Sequence, residues 1–186
     1  WVTQYLEMTE KKQLLTSGGL GTMGYGLPAA LGAQLGYPDI PVICVAGDGG
    51  VQMTIQEMAM AAAYELPVIL CIFNNSYLGM VRQWQQLFYD KRYSSTCTRR
   101  RKSCEGKCKG PGTQCPPYAP DFMKLAEGYG AKGMRVEREE DISRAFAFAR
   151  ENRQGPTVLE FIIQSDELVL PMVQGGQPLS NMILEC

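Results

Sequence analysis

At 186 residues, with 45% hydrophobic and 20% charged residues, the chain has the composition of a globular domain and enough length for one core. Its net charge of −1 excludes a whole-molecule field directed at nucleic acid or a membrane surface. Histidine is absent, which excludes His general bases, His–Cys nucleophile pairs and His-ligated metals within this chain. No apolar run approaches the roughly 20 residues of a spanning helix, and no secretory signal is visible. Residue 1 is Trp, so the chain is expected to begin inside a longer protein.

In chain order, residues 1–15 read as a surface lead-in. Thr16 to Gly26 is a glycine-rich loop that runs into an Ala/Leu-rich helix, Leu27 to Leu35, with Pro28 tolerated in its first turn. The apolar run 41–46 predicts a strand, 54–64 a helix and 67–73 a second strand. Leu78 to Phe88 is expected to be helical, because Val81, Trp84, Leu87 and Phe88 follow that period. Residues 90–119, rich in Lys, Arg, Cys, Gly and Pro, show no period, as expected of a functional or disordered loop. Asp121 then caps a helix to about Gly128. A strand at 133–136, a helix from Glu139 to Glu151, a strand from Thr157 to Ile163 and a turn-rich tail complete the chain. Strands alternating with helices predict an α/β fold, a doubly wound parallel sheet with helices on both faces, in a single domain over 1–186.

Two short motifs end the first two strands. Gly47-Asp48-Gly49 follows the first apolar run and Asn74-Asn75 follows the second. Parallel strands joined through a helix bring their carboxyl ends to one edge, so Asp48 and Asn75 can be neighbours. A carboxylate, an amide oxygen and backbone carbonyls make a hard oxygen site suited to Mg²⁺, which fills its remaining positions with water and phosphate. The glycine loop either packs closely at the start of its helix or lets backbone N–H groups approach phosphate. It lacks the Gly-Lys-Ser/Thr of a Walker A loop and precedes the first strong strand, unlike a dinucleotide fingerprint. Met80 and Trp84, four apart on one helix face, read as a core stripe or as a substrate-pocket wall.

The seven cysteines divide by place. Cys44 and Cys71 fall in predicted strands, where Cys packs as a small apolar residue; Cys97, Cys104, Cys108 and Cys115 crowd the loop, and Cys186 is terminal. An α/β pattern without a signal points to the reducing cytoplasm and away from a disulfide framework. The C-x6-C-x3-C-x6-C spacing lacks the CxxC pairs of common zinc or iron–sulfur sites. The Arg99–Lys102 run reads as a solvated basic loop.

Taken together, Gly47-Asp48-Gly49, the gap and Asn74-Asn75 resemble the signature of thiamine-diphosphate enzymes. The stretches Thr16 to Ala30 and Asn74 to Trp84, with Pro120 to Glu127 and Val169 to Val173, are similar to the acetolactate synthase (acetohydroxyacid synthase) large catalytic subunit, in its C-terminal thiamine-diphosphate-binding domain. The resemblance covers all but about 97–114, which reads as an insertion in the loop that closes over the cofactor. It implies that Asp48, the Asn75 side chain and the Tyr77 carbonyl hold Mg²⁺. Gly21, Gly49, Gly50, Leu78, Gly79 and Met80 would surround the diphosphate, Met23 would support the bent cofactor, and Met80 and Trp84 would shape the pocket for the second 2-oxoacid.

The implied reaction decarboxylates pyruvate and condenses the two-carbon unit with a second pyruvate or 2-oxobutanoate, in branched-chain amino-acid biosynthesis. The glutamate that activates the cofactor and the FAD site belong to amino-terminal domains outside this chain, so the isolated chain is expected to be incomplete and inactive. A homo-oligomer is implied, a regulatory subunit is left open, and neither nucleic acid nor membrane is an expected partner. Two alternatives stand beside this reading: the cofactor-binding subunit of a split 2-oxoacid decarboxylase or oxidoreductase, and a non-catalytic metal-binding or interaction fragment built on the cysteine loop.

Overall fold

The computed structural model describes residues 1–9, 14–104, 114–117 and 120–185. Its centre is a sheet of four parallel strands among the described residues: β1 (Ile43–Gly47), β2 (Ile69–Asn74), β3 (Lys132–Val136) and β4 (Thr157–Ile162), in the spatial order β1-β2-β4-β3. The helices are α1 (Val2–Tyr5), α2 (Gly26–Gly36), α3 (Asp48–Val51), α4 (Met58–Ala63), α5 (Gly79–Phe88), α6 (Phe122–Gly128) and α7 (Ile142–Glu151).

Alternation along the strands sorts side chains to two faces. Cys44, Leu70, Ile72 and Val158 point to one face, where Leu27, Ala30 and Leu31 of α2, Met58 and Ala61 of α4, and Phe122 and Ala126 of α6 cover them. Ile69, Cys71, Leu159 and Phe161 point to the other, against Ala145 and Ala149 of α7. The side change follows the direction of travel. The chain moves one way across the sheet from β1 to β2 to β3 and turns back from β3 to β4. Right-handed crossovers then put α4 and α6 on one face and α7 on the opposite one. Helices on both faces of a parallel sheet are thus the observed architecture.

Coverage is uneven. α7 lies over β3 and β4, while Ile43 and Val45 on the same face of edge strand β1 are 51% and 43% exposed. Burial acts on the strand thiols in the expected direction: it pushes the Cys44 and Cys71 thiols from 9.0 up to about 12, so both stay neutral and pack as apolar groups.

Two buried amides knit helix ends to the strands that follow. Gln34 Nε2 donates to the carbonyls of Tyr37, Pro38 and Ile40, closing the turn between α2 and β1. Asn152 Nδ2 donates to Gly155 O, Pro156 O and Thr157 Oγ1, closing the turn between α7 and β4.

Most elements fall where the sequence places them, and Asp121 caps α6 through its side chain, which accepts from Met123 N at 3.0 Å. The helix expected over 54–64 is shorter. Residues Ile55–Glu57 form a 3₁₀ turn before α4, because Thr54 is diverted to the glycine loop, its Oγ1 donating to Gly24 O at 2.8 Å. Asp48 and Gly49 open one helical turn, α3, with Gly47 as its N-cap. Likewise Glu139–Asp141 form a 3₁₀ turn and α7 starts at Ile142. Among the described residues no helix is long and apolar enough to cross a membrane.

Candidate functional site

β1 ends at Gly47 and β2 at Asn74, and the register that pairs Gly47 with Phe73 brings both carboxyl ends to one edge. Asp48, next after Gly47, is 1% exposed. A carboxylate so deeply placed needs polar company. Thr98 Oγ1 supplies part of it, donating to Asp48 Oδ2 at 3.0 Å. The Asp48 backbone carbonyl accepts from Gln52 Nε2 at 2.9 Å, which fixes α3.

The two asparagines at the end of β2 have different surroundings. Asn74 is buried beneath the edge, where its Nδ2 donates to Glu160 Oε1 at 2.8 Å and its Oδ1 accepts from Ser76 N at 3.0 Å. Glu160, also buried, accepts from Arg135 Nε through Oε2 at 2.8 Å, and Arg135 reaches Asp121 Oδ1 at 3.3 Å. The Glu160 hydrogen bond raises the Arg135 pKa further above its ordinary range. This chain of charges ties β4, β3 and the α6 cap together below the site. Asn75 lies above it. Its Oδ1 accepts from Tyr77 N at 3.0 Å, a side-chain turn that fixes the amide's direction.

Tyr77 is held from the opposite side by an antiparallel bridge to Cys97, in which Leu78 N donates to Thr96 O at 2.8 Å and Thr98 N to Ser76 O at 2.9 Å. In that pattern the bridging residue's own N–H and C=O turn away from the partner strand, and here the N–H meets the Asn75 side chain. Behind it, the Tyr77 ring packs under the buried Arg82 guanidinium, 4.8 Å from the ring centroid, with Tyr93 at the same distance.

Close-packed glycines flank these oxygens. A Cβ at Gly49 would lie 2.5 Å from Leu78 Cδ2 and 3.8 Å from Met23 Cε, and one at Gly79 would lie 3.1 Å from Asn75 Nδ2. Met23, Gly49, Leu78, Gly79 and Asn75 therefore meet around one small region. Gly50 opens onto free space. Gly21 has φ +64°, and its N–H donates to Ser17 O at 2.8 Å, so it contributes backbone room and not a free donor. Gly24 and Gly26 follow the packing reading of the same loop: their Cβ atoms would meet Met53 Cβ at 2.8 Å and Cys44 Sγ at 3.3 Å. The donor set of carboxylate and amide oxygens beside side-chain-free backbone fits a hard divalent cation carrying a diphosphate.

Met80 and Trp84 are not core. They share the outer face of α5 with Val81, and with Gln85, Tyr89 and Arg92 they line a cavity of about 630 Å³. The buried positions of α5 are polar instead. Gln83 pairs with both the N–H and the C=O of Val169, at 2.8 and 2.9 Å, and Arg82 donates to Ser165 O at 3.1 Å. These bonds strap the tail along the helix, and a Cβ at Gly175 would stand 3.8 Å from the Trp84 ring.

Thr98, the Asn74–Glu160–Arg135 chain and the Arg82–Gln83 strap escape a reading of the sequence, since each joins segments far apart in the chain with no motif to announce it. In the cysteine-rich loop, Cys97 and Cys104 are free thiols, Cys115 is half-buried, and Cys108 lies outside the described residues. Among those residues no three His, Cys, Asp or Glu side chains converge as a metal site.

Residues 1–161 match the family described as thiamine pyrophosphate enzyme, C-terminal TPP binding domain. The chain is 43% identical over 182 residues to the acetolactate synthase large subunit of Corynebacterium glutamicum, covering 98% of this chain and 27% of that protein. It is 42% identical over 183 residues to the corresponding subunit of Pyropia yezoensis, covering 98% and 28%. Among solved structures, a thiamine diphosphate-dependent 4-hydroxybenzoylformate decarboxylase of Rhodococcus jostii RHA1 superposes with a TM-score of 0.61 at 34% identity, over 80% of this chain and 24% of that one. The chain thus spans about a quarter of the length of these relatives. Matched over most of its length by that domain, the chain belongs to the thiamine pyrophosphate (thiamine diphosphate) enzymes, as their C-terminal cofactor-binding domain.

Proposed function

We propose that this chain is the diphosphate- and cation-binding part of an acetolactate synthase, which joins the two-carbon unit of pyruvate to a second 2-oxoacid. The observation that carries the reading is that Asp48 and the Asn75–Gly79 turn follow adjacent ends of parallel strands, where Gly49 packs against Leu78 and Met23. Likeness to acetolactate synthase large subunits over nearly the whole chain supports it.

In this reading Asp48, the Asn75 side chain and the Tyr77 carbonyl hold Mg²⁺. Gly21, Gly49, Gly50, Leu78, Gly79 and Met80 leave room for the diphosphate, and Met23 supports the bent cofactor. When bound, thiamine diphosphate supplies the electron sink that decarboxylation of a 2-oxoacid requires. The chain's own residues neutralise phosphate charge and fix position. The apolar wall of Met80 and Trp84 keeps water from the reacting end and shapes the space for the second oxoacid. No residue here is assigned as the catalytic acid or base. The activating glutamate and an FAD site are assigned to domains that complete the enzyme, along with a cytoplasmic setting, homo-oligomeric assembly and a place in branched-chain amino-acid synthesis.

The test is calorimetric titration of thiamine diphosphate with Mg²⁺ present or chelated. Uptake that requires the cation is expected; no uptake in either condition would overturn the proposal. A second reading, a 2-oxoacid decarboxylase, takes support from the likeness to the Rhodococcus enzyme. Products separate the two once the chain is joined to its missing domains: acetolactate from pyruvate marks the synthase, and aldehyde alone marks the decarboxylase.

A further inference from the structure

We propose that Thr98 is a positioning residue for the cation site, its hydroxyl presetting the Asp48 carboxylate to receive a divalent metal. This rests on the cofactor reading above and goes beyond it, because Thr98 lies at the start of the cysteine- and arginine-rich segment that departs from the family pattern.

The contact is a hydrogen bond of 3.0 Å between residues 50 positions apart, and its donor is rigidly placed. The backbone of 96–98 is paired with 76–78 on both sides of Cys97, through Thr96 O and Thr98 N. Just beyond, Arg99 donates to Pro116 O at 2.6 Å and to Cys115 O at 3.2 Å, and Arg101 donates to Pro117 O at 3.4 Å. The two ends of the segment are thereby laced together at its base. The same short bridge carries Tyr77, whose N–H orients Asn75. One strap therefore sets the directions of both side chains proposed to hold the cation.

A hydroxyl fixed in this way costs nothing to reorganise when metal arrives. It holds the carboxylate in one rotamer, turned to the site where the metal would sit. Loss of such an outer partner typically weakens metal binding by roughly 10- to 100-fold.

The experiment titrates Mn²⁺ into the full chain with saturating thiamine diphosphate and follows the free-ion signal by electron paramagnetic resonance. The variants are Thr98→Val, Thr98→Ser and Asp48→Ala, and thermal unfolding serves as the folding control. Mn²⁺ affinity at least about tenfold weaker in Thr98→Val, restored in Thr98→Ser, supports the proposal. Unchanged affinity in Thr98→Val overturns it and leaves the cofactor reading standing, provided Asp48→Ala has lost binding. Tighter binding also overturns it, since the hydroxyl would then compete with the metal. Should Thr98→Val fail to fold, Thr98→Ala is read by the same titration; failure of both makes Thr98 a folding residue and overturns the proposal. If the unaltered chain and Asp48→Ala take up Mn²⁺ alike, the cofactor reading falls and Thr98 falls with it.

Discussion

The carboxyl edge of β1 and β2 and the outer face of α5 are neighbours built on opposite plans. At the edge, Asp48 is buried and hydrogen-bonded, Asn75 is locked by its own turn, and the close-packed glycines Gly49 and Gly79 lie beside them. On α5 the polarity is inverted: Arg82 and Gln83 are buried, while Met80 and Trp84 stand 51% and 38% exposed. Buried polar groups with satisfied hydrogen bonds specify one geometry. Exposed apolar side chains specify a surface that still has to be covered. The edge thus has one fixed geometry, whereas the wall of α5 leaves apolar surface uncovered.

The largest expected effect tests the edge. Asp48→Ala removes the carboxylate, and cation-dependent uptake of thiamine diphosphate should fall on the order of 100-fold or more by calorimetry. A loss no greater than that of a Trp84 variant would break the contrast. Gly49→Ala comes next. Its Cβ would collide with the flexible tip of Leu78, so the fold should survive while cofactor affinity drops roughly tenfold, the size expected when a positioning contact is displaced. Adding Leu78→Ala should recover part of the loss, and a double-mutant cycle measures that coupling.

Trp84→Ala should leave cofactor affinity unchanged and alter stability by less than about 1 kcal/mol in chemical denaturation, as for exposed positions generally. In the complete enzyme it should shift the choice between competing 2-oxoacids by roughly tenfold, read from product ratios. The smallest effect concerns the strands beneath the edge. The Cys44 and Cys71 thiols are raised from 9.0 to about 12 by burial. The folded state therefore holds their protons more tightly than the unfolded chain. Their contribution to stability is complete below pH 9 and is lost as pH rises toward about 12. Thermal unfolding should show no thiol-linked slope at neutral pH and a decline above pH 9 that is weakened in Cys44→Ala.

How much of this was legible in the chain varies by element. The apolar runs at 41–46 and 67–73 announce β1 and β2; β2 is continuously apolar because it is buried on both faces, while β1 keeps an apolar face uncovered at the sheet edge. Asp121 announces the start of α6 because its cap is a contact of two positions. The helix expected over 54–64 was overextended, since Thr54 bonds to a carbonyl 30 positions earlier in the glycine loop. Asn74 and Asn75 read as a pair, yet only the fold separates them, with Glu160 of β4 taking the first into the interior. Thr98 sits in a stretch without period, and nothing local distinguishes it from the Thr and Ser residues around it.

By itself, the amino-acid sequence determined the alternation of strands and helices, the oxygen donors at two strand ends and the glycines beside them. Each of these rests on short-range periodicity or on the chemistry of one residue type. Tertiary structure alone decided which asparagine is buried, which hydroxyl meets Asp48, and why α5 hides its charge and shows its apolar face. Those outcomes depend on where distant segments come to lie, and a buried polar atom takes whatever partner the path of the chain delivers.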